Sequence, residues 1–437
     1  MEVIGKTESL CPVCFRRITA ARIAEDGKVY LHKTCPEHGE YKVLLWRRDG
    51  QDFLDWAKDA IPGSGALRNA KAIDKGCPFD CGLCPDHRTN SCTMVVEVTQ
   101  RCNLHCPICF ASAEKDRAGD PSMETIRRMY RNILESVGNP TIQLSGGEPT
   151  VRDDLPRIVA AGREAGFEHI LVNTNGVRIA REPQYLKQLK EAGASAIYLQ
   201  FDGVSDDVYR HIRGRDLFEI KKQAVVNCAS EKIGVVLVPV IIPGINAHQL
   251  GDIVRFAKEW LTTVRGIHYQ PISYLGRYPQ APRDQDRFTI PDVIDALEEQ
   301  TDGELSRRNF LPRHAQDAHC SFSSFYVLNK EGKLRSLTDN SRRQMTANDS
   351  PEKASRRFMS IHWRHGESRG CCPGNDFFAR VITNSLTITC MPFQDIWNLE
   401  LDRLRGCCGH VARPDGRIIP FCANYLTNTA GERLYPL

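Results

Sequence analysis

Cys102, Cys106 and Cys109 stand on one short stretch, Cys102-Asn-Leu-His-Cys106-Pro-Ile-Cys109-Phe110. Thiolates hold iron–sulfur clusters, and a cubane of four irons takes four ligands. This stretch supplies three, which leaves one iron for something other than protein. A zinc knuckle or a structural cluster loop is the rival reading of the spacing alone, because cysteine-rich metal sites are common.

The elements around the stretch decide between these readings. Met94-Val-Val-Glu-Val98 reads as a strand that ends just before Cys102. From there the pattern alternates strands and helices, with strands expected at 94–98, 141–146, 169–174, 196–202, 234–241 and 266–272. Between the first two, Ile126, Met129, Tyr130, Ile133 and Leu134 share one helical face, with Ser122 placed to cap it. Alternation of this kind predicts an α/β fold with a parallel sheet and right-handed crossovers. Six strands are too few for a closed eight-stranded barrel. A partial (β/α)6 barrel is expected, with its site at the C-terminal strand ends.

The expected strand ends carry polar residues. The second ends in Ser145-Gly146-Gly147-Glu148-Pro149, where glycines allow close backbone approach and a carboxylate can accept from an ammonium group. Asn175, Asp202 and Gln270 mark the ends of the third, fourth and sixth. Asn-Gly and Asp-Gly also form ordinary turns.

The other cysteines fall in groups. Of 18 in all, seven precede Cys102 and seven follow residue 319; Cys228 stands alone and reads as a buried core thiol. Cys11-Pro-Val-Cys14 and Cys35-Pro-Glu-His38 flank an expected hairpin, with a turn at Glu25-Asp-Gly27. Cys11, Cys14, Cys35 and His38 suit one zinc or ferrous ion, as does a rubredoxin-like set with a fourth Cys from elsewhere. Cys77, Cys81 and Cys84 repeat the first spacing, and Cys92 follows. Four protein ligands would close that cluster, which then carries electrons or braces the fold. Cys320, Cys422 and one of Cys407 and Cys408, with one more, would close a third. The adjacent pairs Cys371-Cys372 and Cys407-Cys408 are also a thiol arrangement for trivalent arsenic. Cys390 is given no role. The basic stretch Arg342 to Arg369 reads as a solvated loop or as a lid over an anionic substrate.

Composition sets the outer limits. The chain has 437 residues, 41% hydrophobic and 26% charged, as in soluble globular proteins. No apolar run reaches membrane-spanning length, and the first residues lack a signal pattern, so the cytoplasm is expected. A net charge of +4 gives no argument for nucleic acid. Four segments are expected: residues 1–70 for the mononuclear site, 71–93 for an auxiliary cluster, 94–300 for the barrel and 301–437 for a cysteine-rich terminal domain.

Together these motifs resemble the radical S-adenosylmethionine (SAM) enzymes. The C-x3-C-x2-C loop with Phe110 after it and Gly-Gly-Glu-Pro one strand later carry the likeness. Cys11-Pro-x-Cys14, Thr34-Cys-Pro-Glu-His-Gly39, Gly76-Cys-Pro-Phe-Asp-Cys-Gly-Leu-Cys84 and Asp415-Gly-Arg-Ile-Ile-Pro-Phe-Cys422 extend it over nearly the whole chain. They resemble the subfamily of the archaeal tetraether lipid synthase, the pterin-methylating radical SAM enzymes and the TrsS-type proteins, most of all the last. The resemblance implies that SAM fills the open iron of the [4Fe–4S] cluster at Cys102, Cys106 and Cys109, and that reduction breaks a C–S bond to give a 5′-deoxyadenosyl radical. It implies that Ser145, Gly146, Gly147 and Glu148 hold the SAM amino group and that Asn175, Asp202 and Gln270 contact the rest. Two auxiliary [4Fe–4S] clusters and one mononuclear iron or zinc are implied too.

The lipid synthase has long apolar helices before its last cysteines, and this chain has none there, so a small substrate is favoured over a long alkyl chain. The expected function is transfer of a methyl or other carbon unit to a small molecule, with a flavodoxin or ferredoxin as reductant. The alternatives are carbon–arsenic bond formation, tetraether-type lipid coupling, and an iron–sulfur electron carrier without catalysis.

Overall fold

At the N-terminus four strands run as an antiparallel meander: β1 (Glu2–Leu10), β2 (Arg17–Glu25), β3 (Lys28–Cys35) and β4 (Gly39–Trp46). Asp26 and Gly27 both take positive φ, which makes the tight turn whose twist matches the flanking strands. The computed structural model describes residues 1–58, 60, 63, 72–81, 83–115, 119–338, 350–366 and 376–436. Lys33 of β3 is buried and donates to Ser9 Oγ, Leu10 O and Ile396 O, which ties this small sheet to the C-terminal segment.

The strands that follow are β5 (Thr93–Thr99), β6 (Thr141–Gly146), β7 (Ile170–Thr174), β8 (Ala196–Gln200), β9 (Gly234–Val238), β10 (Val240–Ile241) and β11 (Val264–Pro271). Then come β12 (Leu311–Pro312), β13 (Phe322–Leu328), β14 (Leu334–Ser336), β15 (Ser385–Cys390), β16 (Gly409–Ala412) and β17 (Ile418–Pro420). The six expected strands are present, and Ser122 caps the helix Met123–Val137 through its side chain as expected. All thirteen strands join one sheet, whose path is β12-β13-β15-β11-β9-β8-β7-β6-β5-β16-β17. Two late strands extend the parallel part: β16 pairs parallel with β5 and β15 with β11. The antiparallel neighbours β17 and β13 flank them, so the parallel run is an open barrel. The expected boundary at residue 300 therefore falls inside one continuous sheet. The C-terminal segment is part of the barrel wall.

The floor of the barrel is the largest departure from expectation. Residues 342–349 and 367–369 of the basic stretch lie outside the described residues, as do Cys371 and Cys372. Within the described part, the helix Pro351–His362 lies under the barrel, at the N-terminal ends of the strands. Met359 and Trp363 are buried there against Leu171, Ala196, Tyr198, Val236 and Val238. Arg265 and Arg364 donate to His362 O and Glu168 O, and Gly366 N donates to Thr262 O, all at the end away from the cysteine loop. This segment is neither a lid over the mouth nor a solvated loop. Its arginines fringe a helix whose apolar face fills the floor, and burial of that face decides its place.

Among the described residues no helix is long and apolar enough to cross a membrane.

Gly234 opens β9 directly over Trp363, and a Cβ there would collide with the Trp363 carbonyl. Gly234→Ala is expected to cost about 1–3 kcal/mol of unfolding free energy through overpacking. Urea denaturation followed by tryptophan fluorescence measures it.

Candidate active site and metal centres

The tip of β5 leads straight into the cysteine loop, and three neighbours hold that loop in place. Cys102 N donates to Glu114 O at 3.0 Å. Cys109 and Arg277 exchange backbone hydrogen bonds, both 2.9 Å, and the Arg277 guanidinium donates to Cys106 O and Ala113 O. Gly147 N and Glu148 N donate to Thr99 O and Arg101 O, both at 2.8 Å. A Cβ at Gly146 would strike Thr99 O, and one at Gly147 would strike Arg101 O. The glycines thus let β6 lie against the backbone entering the cysteine loop; they were expected to admit a ligand. Burial pushes the Cys102 thiol up to about 12, and Glu148, Cys106 and Cys109 add to the effect. Cys102 and Cys106 pack against one apolar cluster of Leu104, Val177, Tyr209 and Leu217, with Cys109 on the same loop.

The acids expected to face a ligand are turned inward. Glu148 is buried, and its Oε1 accepts from Thr150 N, Thr150 Oγ1 and Thr174 Oγ1. Its Oε2 accepts from Asn175 N at 2.6 Å. A carboxylate has about four acceptor positions, two on each oxygen; these donors crowd Oε1 and leave one position on Oε2. Glu148 thus locks the ends of β6 and β7 together. Asn175 donates to Asn103 Oδ1 at 2.6 Å and so steadies the cysteine loop. Asp202 is fully buried and holds Arg213 bidentately at 2.7 and 2.9 Å, while Val240 N and Gln200 Nε2 also donate to it. The third Arg213 nitrogen, Nη1, lies 3.5 Å from Cys106 Sγ.

Arg213 and Lys221 are functional residues that the sequence reading missed. Lys221 is buried, donates to Asn175 O and Gln200 Oε1, and is brought down to about 7 by burial. The two cations come from the helices Asp206–Arg213 and Phe218–Ser230. Each is a single basic residue on an ordinary amphipathic helix. The one available signal was that a buried Asp202 needs a partner.

Ser145 is buried at the end of β6, in register with Glu97 of β5. Gln270 is half-buried on β11 opposite Val240, and among the described residues its amide makes no hydrogen bond. Phe110 is 37% exposed, with its ring edge-on to Tyr425 at 4.9 Å and 5.6 Å from Phe421. The helix Phe421–Tyr425 thus covers one side of the mouth. Tyr425 OH also reaches down to Glu97 Oε1, 2.9 Å away.

The remaining cysteines sort into three groups. Cys77, Cys81 and Cys84 line one cavity with His87, and burial pushes the Cys77 thiol up to about 12. Cys92 was expected there, but it lies elsewhere. It directly precedes β5, and the pairing of β5 with β16 sets it beside Cys408. Cys92 N donates to Cys408 O at 2.9 Å, the two side chains pack together with Ala315, and Cys408 Sγ reaches Gln316 Oε1. Cys320, Cys407 and Cys422 form the third group. Burial pushes all three thiols up, with Cys422, Cys408 and Cys320 adding to the effect at Cys407. Backbone and guanidinium donors already face these sulfurs: Gln394 N to Cys422 at 3.3 Å and Arg403 Nη2 to Cys320 at 3.5 Å. Of the pair 407–408, only Cys407 belongs to this group. Cys408 faces Cys92 instead, so the adjacent thiols do not act as one clamp for arsenic. Cys228 and Cys390 are fully buried core residues.

The N-terminal knuckles close as expected. Cys11, Cys14, Cys35 and His38 place their ligand atoms within 4.8 Å of one another. His38 Nδ1 is 3.5 Å from Cys35 Sγ and 3.7 Å from Cys11 Sγ. Metal bonds of about 2.3 Å to sulfur and 2.0–2.1 Å to nitrogen at a tetrahedral angle separate S and N by about 3.5 Å. The four residues fit a single tetrahedral ion, with His38 in the fourth place.

Comparison with known proteins gives the family. Residues 96–257 match the Radical SAM superfamily, and residues 3–47 match the HMPTM N-terminal zinc ribbon domain. The chain is 38% identical to the 7,8-dihydro-6-hydroxymethylpterin dimethyltransferase of Methanocaldococcus jannaschii, across 95% of this chain and 92% of that protein. It is also 38% identical to the Fe-coproporphyrin III synthase of Methanosarcina barkeri, but over only 32% of this chain and 35% of that one. Among solved structures, SuiB of Streptococcus suis bound to its precursor peptide SuiA aligns with a TM-score of 0.40 and 13% identity, covering 67% of this chain and 68% of that one. The chain belongs to the radical SAM superfamily, as a transferase that uses S-adenosylmethionine and a [4Fe–4S] cluster.

Proposed function

We propose that the chain transfers a methyl or other SAM-derived carbon unit to a reduced pterin or a heterocycle with the same hydrogen-bonding edge. The observation that carries this reading is a polar row inside the barrel, just below the cysteine loop. Glu97 of β5 pairs in register with Ser145 of β6, and Asn173 of β7 pairs with Tyr198 of β8. Asn173 Nδ2 donates to Gln143 Oε1 at 3.2 Å, while its Oδ1 is buried without a partner. Burial pushes the Glu97 carboxyl up, against the Tyr425 hydroxyl that donates to it. An aminopyrimidine ring presents adjacent N–H donors, which a carboxylate and an amide oxygen can accept together. An alkyl chain would leave these groups unsatisfied, at a cost of roughly 1–3 kcal/mol each. The near full-length likeness to a pterin dimethyltransferase supports the same substrate class.

In this reading Cys102, Cys106 and Cys109 hold the catalytic cluster. When bound, the cluster and SAM supply reductive cleavage of a carbon–sulfur bond. The chain's own residues position and enclose. Arg213, fixed by Asp202, offers a cation beside Cys106 to a carboxylate at the open iron. The backbone at Gly146, Gly147 and Glu148, together with Phe110, Ser145, Asn175 and Gln270, shapes the rest of the SAM site. The helix Phe421–Tyr425 keeps water from the mouth, which protects a reactive carbon centre from side reactions. Cys77, Cys81 and Cys84, and Cys320, Cys407 and Cys422, hold the two auxiliary clusters. Cys11, Cys14, Cys35 and His38 hold zinc. A flavodoxin or ferredoxin supplies electrons, and the setting is the cytoplasm.

Anaerobic incubation with SAM, dithionite and 7,8-dihydro-6-hydroxymethylpterin, with methylated product read by mass spectrometry, tests the assignment. Glu97→Gln is expected to raise KM for the pterin by about 10- to 100-fold, the worth of one hydrogen bond to a charged group. Release of 5′-deoxyadenosine without pterin should be unchanged. Because the Glu97 carboxyl titrates above its usual range, KM should also climb as pH falls through that raised value, and the variant should lose this dependence. Cys35→Ser should lose one equivalent of zinc by elemental analysis while iron and sulfide stay constant.

A further inference from the structure

Cys77, Cys81 and Cys84 line one cavity together with Asp80, Leu83, His87 and Arg405. Its cysteines supply three of the four ligands of a closed cubane. Cys92 is not among the residues that line the cavity, and its side chain packs with Ala315 and Cys408 instead. Asp80 also lines the cavity, but its Oδ2 accepts from the backbone N–H groups of Asp74 and Gly76.

His87 remains. Its backbone N donates to Cys84 O at 2.9 Å, so the chain turns back after the third cysteine and sets the ring against the same cavity. Ring atom Nε2 lies 2.8 Å from Cys407 O, 3.4 Å from Thr89 Oγ1 and 3.1 Å from His410 Nε2. A carbonyl only accepts, so Nε2 carries the proton. His410 fits this arrangement: its Nδ1 is 2.7 Å from Ser91 Oγ and can donate there, which leaves its Nε2 to accept. The tautomer of His87 is thereby fixed. Its Nδ1 keeps a lone pair, and among the described residues that atom has no hydrogen-bond partner. Donation of the second ring N–H to a backbone carbonyl is how proteins hold a metal-ligating histidine.

We propose that His87 Nδ1 is the fourth ligand of the cluster at Cys77, Cys81 and Cys84. The proposal rests on the reading that this loop holds an iron–sulfur cluster. A neutral imidazole in place of a thiolate removes one negative charge from the ligand set, which raises the reduction potential. The carbonyl that holds the imidazole belongs to Cys407, whose thiol stands with Cys320 and Cys422. One hydrogen bond therefore links the two auxiliary sites.

The test uses the full chain with Cys102, Cys106 and Cys109 all changed to Ala, reconstituted and reduced without SAM. Pulsed EPR should show a strongly coupled nitrogen. Adding His87→Cys should abolish that coupling and lower one midpoint potential, with iron and sulfide content retained. A coupling that survives His87→Cys, or none in the parent although Cys81→Ala lowers its iron content, overturns the ligand assignment alone. Unchanged iron and sulfide in Cys81→Ala overturns both the ligand and the reading beneath it.

Discussion

The contact on which the site depends is backbone against backbone. Gly146 and Gly147 carry no side chains, and so β6 can press its tip onto Thr99 and Arg101, the residues that lead into Cys102. Strap and lock follow from that contact. Arg277 crosses the far side of the cysteine loop, Asn175 pins Asn103, and Glu148 closes β6 onto β7. Three thiols on a loop could point anywhere. Here backbone and side-chain contacts fix the loop on each side, and preorganisation of this kind lowers the ordering cost of binding.

Charge is arranged with the same economy. Asp202 is fully buried and would be costly alone, but its bidentate partner Arg213 compensates it and is thereby aimed at Cys106. Lys221 adds a second buried cation among the strand ends. A site that must gather a cluster of thiolates and a zwitterion needs positive charge at close range. The chain supplies it from helices, with Asp202 anchoring Arg213 and the polar groups Asn175 O and Gln200 Oε1 holding Lys221.

Local pattern carried much of this into the sequence. The six strands of the barrel and the capped helix after Ser122 depend on neighbours a few residues apart, which spacing reports directly; the set Cys11, Cys14, Cys35 and His38 is two such short pairs joined by a local antiparallel meander. What spacing cannot report is a partner reached across the fold. Cys92 was assigned to the nearest cysteine motif, yet sheet pairing carries it to Cys408. The role of Glu148 was read from its residue type, but Thr174 and Asn175 claim its oxygens. The basic composition of the 342–369 stretch suggested solvent or an anion, whereas Met359 and Trp363 set its place in the core.

The same helix bears on how the barrel is closed. Met359 and Trp363 fill the barrel floor, so the described residues close the lumen at that end. At the other end the aromatic helix Phe421–Tyr425 stands beside the cysteine loop. Floor and doorway are thus both furnished by the late part of the chain, which closes at each end a barrel whose strands begin far earlier in the sequence.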